Sequence, residues 1–237
     1  MKLALARLLQ LASPALPVGA FSYSQGLEWA VEAGTVHDEA SARRWIGDQL
    51  EWNLGRFEAP LLARLIEAWK VGAHAPCASG TPLRGQMTVH ELDAAYLASR
   101  ETAELRAETL QMGYSLRRLL DDVGELPASL RTEIAVSPTP TFPFVWSALA
   151  AHWQIATGDA LAGWLWSWAE NQAMAALKAV PLGQAAGQRM LLELGARIPA
   201  LVERALVLNE GETSNFAPGF AIACARHETQ YSRLFRS

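Results

Sequence analysis

The side chains best suited to metal chemistry form two His–Cys pairs, each at the i, i+3 spacing of one helix face. They are His74-x-x-Cys77 and Cys224-x-x-His227. Imidazole and thiolate are both good ligands for Ni²⁺. A stable site needs four protein ligands, or three and a water, and each pair supplies at most two. We therefore predict no permanent metal site and leave open a transient nickel contact at Cys224 and His227.

Sequence signatures of catalysis are missing. The chain contains no Gly-x-x-x-x-Gly-Lys-Ser/Thr loop for nucleotides, no Gly-x-Ser-x-Gly elbow and no His-Glu-x-x-His zinc pair. No Glu is followed three residues later by His, the pattern of di-metal helical bundles. We predict a non-catalytic protein without a cofactor. The enzyme alternative is a helical protein with a carboxylate or His site in its core, for which Glu28, Glu170 and His152 are the first candidates.

Composition limits the classes of partner. The formal net charge of −4 gives no indication of nucleic-acid binding. Two cysteines in 237 residues exclude a disulfide framework and fit a reducing compartment. The most apolar stretch, 142–169, includes His152, Gln154 and Asp159, so we predict no membrane span. We expect a cytoplasmic protein.

The elements that must position these side chains are helices. Apolar residues recur with helical spacing, and Pro and Gly separate the apolar segments. Asp38 and the capping box Thr88-x-x-Glu91 mark two helix starts. The pattern predicts an all-α, single-domain bundle of about ten helices. The predicted helices lie near 3–12, 22–33, 38–54, 58–70, 88–124, 143–156, 159–179 and 184–208, with a kink or split at Pro199 and a loop or linker at 72–87.

The sequence changes character after residue 208. We predict an all-helical domain over 1–208 and a flexible C-terminal tail over 209–237 that binds a partner. Three arginines against Glu228 make the tail end basic within an acidic protein. The spacing of Tyr231, Leu234 and Phe235 predicts a small apolar helix face, and Arg with aromatic residues is typical of interface anchors. A frayed, solvated terminus is the alternative.

Two further segments have open interpretations. Lys178 closes an apolar helix, where a cation suits the helix dipole, and it is equally placed to contact a partner beside the loop that follows. Tyr23, Ser24 and Gln25 precede a helix, where they either cap it or form an exposed patch.

Four segments, in order along nearly the whole chain, together resemble the UreF family of urease accessory proteins. LLQLASPALPVGAFSYSQGLEWAVEAG (8–34) is similar to the family's opening signature and SRETAELRAETLQMGYSL (99–116) to its central helix. LKAVPLGQ (177–184) resembles the family's Lys-x-Val-Pro-Leu-Gly-Gln loop, and RHETQYSRLFRS (226–237) its terminal signature. The linker 72–87 matches nothing in this pattern.

The resemblance implies an all-α homodimer that matures urease rather than an enzyme. It implies binding to the accessory protein UreD (also called UreH), recruitment of the GTPase UreG and docking on apo-urease. It also implies control of UreG GTP hydrolysis and support of nickel delivery. A purely structural adaptor without influence on nickel or nucleotide turnover is the remaining alternative.

The resemblance also suggests which residues bind partners, in three groups. The first group would order against UreD, and the second would face UreG or the dimer partner. The third would form another functional patch, a candidate lining for a nickel path. The groups are, in that order, Arg226, His227, Glu228, Thr229, Gln230, Tyr231 and Arg233; Lys178, Pro181 and Gly183; and Tyr23, Ser24, Gln25 and Glu28.

Overall fold

Helices occupy most of residues 3–74, 87–124 and 126–237, the parts of the chain that the computed structural model describes, and no strand forms among them. The predicted all-α class is confirmed. The described α-helices are α1 (Leu3–Leu11), α2 (Leu27–Glu32), α3 (Glu39–Gln49), α4 (Ala59–His74), α5 (Val89–Ala98), α6 (Ala103–Val123), α7 (Ala128–Val136), α8 (Phe142–His152), α9 (Thr157–Ala179), α10 (Gln184–Val207) and α11 (Pro218–His227). A π-helical segment (Leu50–Glu58) joins α3 to α4, and short 3₁₀ turns lie at Ala20–Ser22 and Glu210–Glu212.

The centre of the molecule is α8, which packs between α4 and α6, while α9 packs along α10. The α8 sequence is apolar on all sides, as a helix surrounded by others requires. Its Phe144, Trp146 and Leu149 are almost completely buried. The Trp146 ring lies 5.4 Å from that of Trp164 on α9, edge to face, so an aromatic contact connects α8 to α9.

A glycine allows α6 to approach the chain that leads into α8. A Cβ on Gly113 would lie 2.2 Å from the main-chain oxygen of Pro140, far inside van der Waals contact. Nearby, the Thr109 hydroxyl accepts a hydrogen bond from the Phe142 amide at 3.2 Å. Helix α6 therefore contacts the start of the central helix both through its backbone at Gly113 and through the Thr109 side chain.

Both predicted helix caps are confirmed. The Asp38 carboxylate accepts from the Ser41 amide at 2.8 Å at the start of α3. At the start of α5, Thr88 and Glu91 form the reciprocal capping box, in which the Thr88 amide donates to the Glu91 carboxylate at 2.7 Å.

The single helix predicted over 88–124 is wrong, because the chain turns between α5 and α6. Thr102 caps the second helix by accepting from the Leu105 amide. The turn also buries Arg100, which donates to Glu58 at 2.7 Å and lies 4.4 Å from the centre of the Tyr96 ring. A buried arginine needs such partners, and the turn provides them.

Other boundaries also differ from the sequence-based prediction. The helix expected from residue 22 begins only at Leu27, because the chain forms a turn before it. The break expected near residues 54–58 is a π-helical continuation, and α10 runs through Pro199 as one helix. Helices α7 and α11 were not predicted. Most of the linker at 72–87, including Cys77, lies outside the described residues.

No helix among the described residues is long and apolar enough to cross a membrane.

Candidate functional site

Three segments that are distant in sequence meet at one end of the bundle. They are the turn before α2, the chain that follows α11, and the C-terminal end of α9. Each segment contains residues predicted to bind partners. The structure therefore brings the first and third predicted groups together with Lys178 of the second in one region, which we call the tail face: residues 21–28, 178 and 226–237.

Glu28, in the first turn of α2, anchors the tail. Its carboxylate accepts hydrogen bonds from the amides of Leu234 at 2.6 Å and Phe235 at 2.9 Å. Only 6% of Glu28 is exposed. A buried carboxylate is strongly bound to such donors, so Glu28 fixes the backbone of the tail where the Phe235 side chain enters the main core.

His227, the last residue of α11, is fully buried between two carboxylates. Its Nδ1 lies 2.6 Å from Glu104 Oε2, and its Nε2 lies 3.3 Å from Glu28 Oε2. An imidazolium has an N–H on each nitrogen and satisfies both contacts at once. The other oxygen of Glu104 accepts from Arg233 at 2.6 Å, so basic side chains and carboxylates alternate through the cluster.

The turn before α2 holds the end of the tail through its main chain. The amides of Ser24 and Gln25 donate to the main-chain oxygen of Ser237 at 2.8 and 3.0 Å, and the Ser24 hydroxyl donates to the same atom at 2.6 Å. To form this turn, Gln25 takes a φ of 50° and Gly26 a φ of 76°. A Cβ on Gly26 would also lie 3.0 Å from the Cys224 amide, so a glycine is needed both for conformation and for contact with α11.

Glu108 on α6 lies beneath this turn. Its carboxylate accepts from Gln25 Nε2 at 2.7 Å and from the Ser237 hydroxyl at 2.9 Å. The Gln25 side-chain oxygen accepts in turn from the Trp168 indole of α9 at 2.7 Å. Burial raises the pKa of Glu108 to about 7, against the opposing effect of these hydrogen bonds.

Lys178 belongs to the same region. It lies in the last turn of α9, as predicted, with its Nζ 5.9 Å from the centre of the Phe21 ring and 5.6 Å from that of Phe235. The side chain is exposed, as are Pro181 and Gly183 in the loop that follows. Both interpretations of Lys178 therefore remain compatible with its position.

The tail residues divide into a buried and an exposed set. Tyr231 and Leu234 are exposed, whereas Phe235 is buried. The helix face predicted from these three residues is wrong, because α11 ends at His227 and the turns that follow direct Phe235 inward. The other exposed predicted residues are Arg226, Glu228, Thr229 and Arg233; Gln230 is half-buried.

Several predicted partner-binding residues face the protein interior in this conformation. Tyr23, Ser24, Glu28 and His227 are buried, and Gln25 is half-buried. Their observed contacts hold the tail, so any contact of these side chains with a partner stays a prediction. The predicted flexibility of 209–237 also stays a prediction, although α11 and the last residues pack against the helices here.

A nickel contact at Cys224 and His227 would require this region to open. Cys224 is buried, and burial raises the pKa of its thiol, which disfavours the thiolate that binds metals. Both ring nitrogens of His227 are already hydrogen-bonded. Within the described parts of the chain, no three His, Cys, Asp or Glu side chains are grouped to hold a metal ion.

Sequence reasoning missed the residues beneath the tail, namely Glu104, Glu108 and Trp168. The i, i+4 spacing of Glu104 and Glu108 was the available signal that both share one side of α6. Of the three candidates for a core enzyme site, Glu28 binds the tail, Glu170 is half-buried on α9, and His152 is exposed at the end of α8.

Comparisons with known proteins agree on one family. The family model described as UreF matches residues 36–195. A protein named urease accessory protein UreF from Azoarcus sp. (strain BH72) is 60% identical over 237 residues, covering 99% of this chain and 96% of the relative. One of the same name from Dechloromonas aromatica (strain RCB) is 57% identical over 236 residues, covering 99% and 98%. The bifunctional urease accessory protein UreEF of Bordetella bronchiseptica is 48% identical over 237 residues, covering 98% of this chain and 52% of that protein.

Proposed function

The chain belongs to the UreF family of urease accessory proteins, and from that premise we propose that it bridges UreD/UreH and the GTPase UreG on apo-urease. It is an accessory protein and not an enzyme. In this proposal it acts in the cytoplasm as a homodimeric nickel-insertion chaperone. It regulates GTP hydrolysis by UreG and supports nickel delivery to the urease active site.

The observation that supports this proposal is that the tail, the turn before α2 and Lys178 come together on the tail face. Exposed arginines and aromatic or aliphatic side chains lie together there, including Arg233, Tyr231, Leu234 and Phe21. Arg and Tyr are enriched among the residues that dominate binding energy at interfaces. We assign the tail to UreD/UreH, and Lys178 with Pro181 and Gly183 to UreG or the dimer partner.

Adjacent binding regions provide a physical route to coupling. Phe235 of the tail and Lys178 of α9 contact each other, so a partner that moves one changes the surroundings of the other. A protein that binds one nucleotide state of UreG more tightly than the other shifts the equilibrium between them. Regulation then requires no chemistry by this chain itself.

A further accessory factor is a candidate neighbour. The Bordetella bronchiseptica relative is named as a bifunctional UreEF protein, and this chain spans 52% of its length. Joining two activities in one polypeptide raises their effective concentration for each other. We therefore include UreE among the proposed partners.

The test is size-exclusion chromatography of the chain with UreD and UreG, with and without Ni²⁺ and GTP, together with GTP hydrolysis and urease activation. We expect a ternary complex and a change in UreG turnover. A complex that forms without changing either activity would leave only the structural adaptor.

A deletion tests the assignment of the tail. Removing residues 226–237 is expected to abolish the UreD complex while the circular dichroism signal of the helices is retained, because Phe235 is the only deleted residue in the main apolar core. The exposed tripeptide Glu210–Glu212 lies in the predicted tail 209–237 but outside the residues assigned to UreD, so its deletion is the control and should leave the complex intact. An unchanged UreD pull-down after deletion of 226–237 would reject the assignment.

A further inference from the structure

We propose that Glu108 makes the docking of segment 228–237 sensitive to pH, so that the segment detaches more readily as the pH rises from slightly acidic to slightly basic. The inference concerns regulation of the tail face, to which the proposed function assigns partners. Only the expected effect on partner binding rests on that function. Detachment itself is a property of this chain alone.

The first argument is the geometry around the carboxylate. Glu108 is 7% exposed, and its two oxygens each accept one hydrogen bond, from Gln25 Nε2 and from the Ser237 hydroxyl. Ser237 is itself 2% exposed and is held by the Ser24 and Gln25 amides. Departure of the segment would therefore remove one donor from Glu108 and uncover the carboxylate to water.

The second argument is that the neighbouring charges do not neutralise Glu108. The Arg100 guanidinium favours its ionised form, but that arginine donates directly to Glu58 and is shared with it. Glu58 itself disfavours a second negative charge nearby. On the other side, the basic side chains of the tail cluster, Arg233 and His227, contact Glu104 rather than Glu108. The remaining titratable neighbours that interact with Glu108 are Tyr23, Tyr96 and Cys224.

The direction of the effect follows from proton linkage. Covered by the segment, Glu108 has a pKa raised to about 7 by desolvation, whereas a solvated glutamate titrates near 4.5. The docked state thus binds more protons than the detached state between these values, and a rise in pH favours detachment. If detachment fully solvates the carboxylate, the docking constant falls up to about tenfold between pH 6 and pH 8.

Hydrogen exchange of the wild-type chain without partners measures this equilibrium. The amides of Leu234, Phe235 and Arg236 are hydrogen-bonded to Glu28 and Ser22 only while the segment is docked. Their protection factors, corrected for intrinsic exchange at each pH, report the docking constant. We expect wild-type protection to fall up to about tenfold from pH 6 to pH 8.

Glu108→Gln is the informative variant because glutamine keeps the size, accepts from Gln25 and donates to the Ser237 hydroxyl without titrating. Its protection is expected to change less than about twofold over the same range. Asp121→Asn removes the same charge from an exposed position on α6 and should follow the wild type. Each variant differs from the wild type at one position only, so a difference between the profiles is due to that position.

Parallel profiles for the wild type and Glu108→Gln would overturn the inference, as would a flat wild-type profile. Should Glu108→Gln lose its helical circular dichroism, Glu108→Ala replaces it as the uncharged variant with the same two criteria. Because no partner is present, these results are independent of the proposed function. A chain that fails to bind UreD at any pH would count against that function and leave the exchange result unaffected.

Discussion

The core around α8 and the polar cluster beneath the tail are almost equally buried, but they are built from opposite chemistry. Phe144, Trp146 and Leu149 fill the first with apolar surface. In the second, the Glu28 carboxylate binds both His227 and the main chain of the tail. Apolar burial stabilises in proportion to area, whereas each buried hydrogen bond replaces one with water and contributes only about 1 kcal/mol net.

Because of this difference, one region controls folding of the bundle and the other controls the position of the tail. The apolar core determines whether the bundle folds, and its contribution does not depend on protonation. The polar cluster determines where residues 228–237 lie, and its contribution depends on charge and on every donor having a partner. Regions with few apolar contacts open locally at low free energy, so the tail is the part of this molecule best suited to exchange contacts with partners.

The largest expected effect comes from the apolar region. Trp146→Ala removes a side chain that is 1% exposed and in edge contact with Trp164. We expect the free energy of unfolding, measured with urea, to fall by about 3–5 kcal/mol. Trp52→Ala is the matched control, since Trp52 is 48% exposed, and it should cost less than about 1 kcal/mol. Equal losses for the two variants would contradict the location of the core.

The polar cluster should respond locally rather than globally. Glu28→Ala leaves the amides of Leu234 and Phe235 without their acceptor and His227 without one of its two partners. We expect the tail to be less tightly docked by about 1–3 kcal/mol, seen as faster hydrogen exchange in 228–237. Exchange in α8 should not change.

Glu32→Ala is the control for this experiment, because Glu32 lies at the other end of α2 and is exposed. It should leave tail exchange as in the wild type. If Glu28→Ala instead accelerated exchange across α4 and α8, the cluster would be part of the global fold, and the distinction between the two regions would be lost.

The sequence predicted the apolar region much better than the polar one. Helical periodicity and the caps at Asp38 and Thr88 are local signals, and the structure confirms them. The all-α class follows from such signals alone. The turn at Ser99–Thr102 was missed because its cause is tertiary: Arg100 leaves the helix to pair with Glu58, more than forty residues away in the chain.

The contacts beneath the tail could not be predicted from the sequence for the same reason. The sequence singled out Glu28 and His227 separately, but their contact joins positions 199 residues apart. Nothing local distinguishes Glu104 and Glu108 from solvated glutamates on an amphipathic helix. Local spacing predicts which side chains share a face, and only the packing of α2, α6 and α11 decides which faces meet.

The smallest effect on stability is expected at Lys178, where partner binding and stabilisation of the helix end are both compatible with the structure. Lys178→Ala removes an exposed cation whose observed contacts are with the Phe21 and Phe235 rings at 5.9 and 5.6 Å, near the limit for cation–π attraction. Together with the loss of a favourable charge at the end of α9, this should cost less than about 1 kcal/mol of unfolding free energy. If Lys178 contacts a partner, urease activation in a reconstituted assay should fall far more than stability does. Lys178→Arg preserves the charge and should retain most of the activation. If Lys178→Ala instead lost much thermal stability and activated urease normally, the role of this residue would be to stabilise the end of α9.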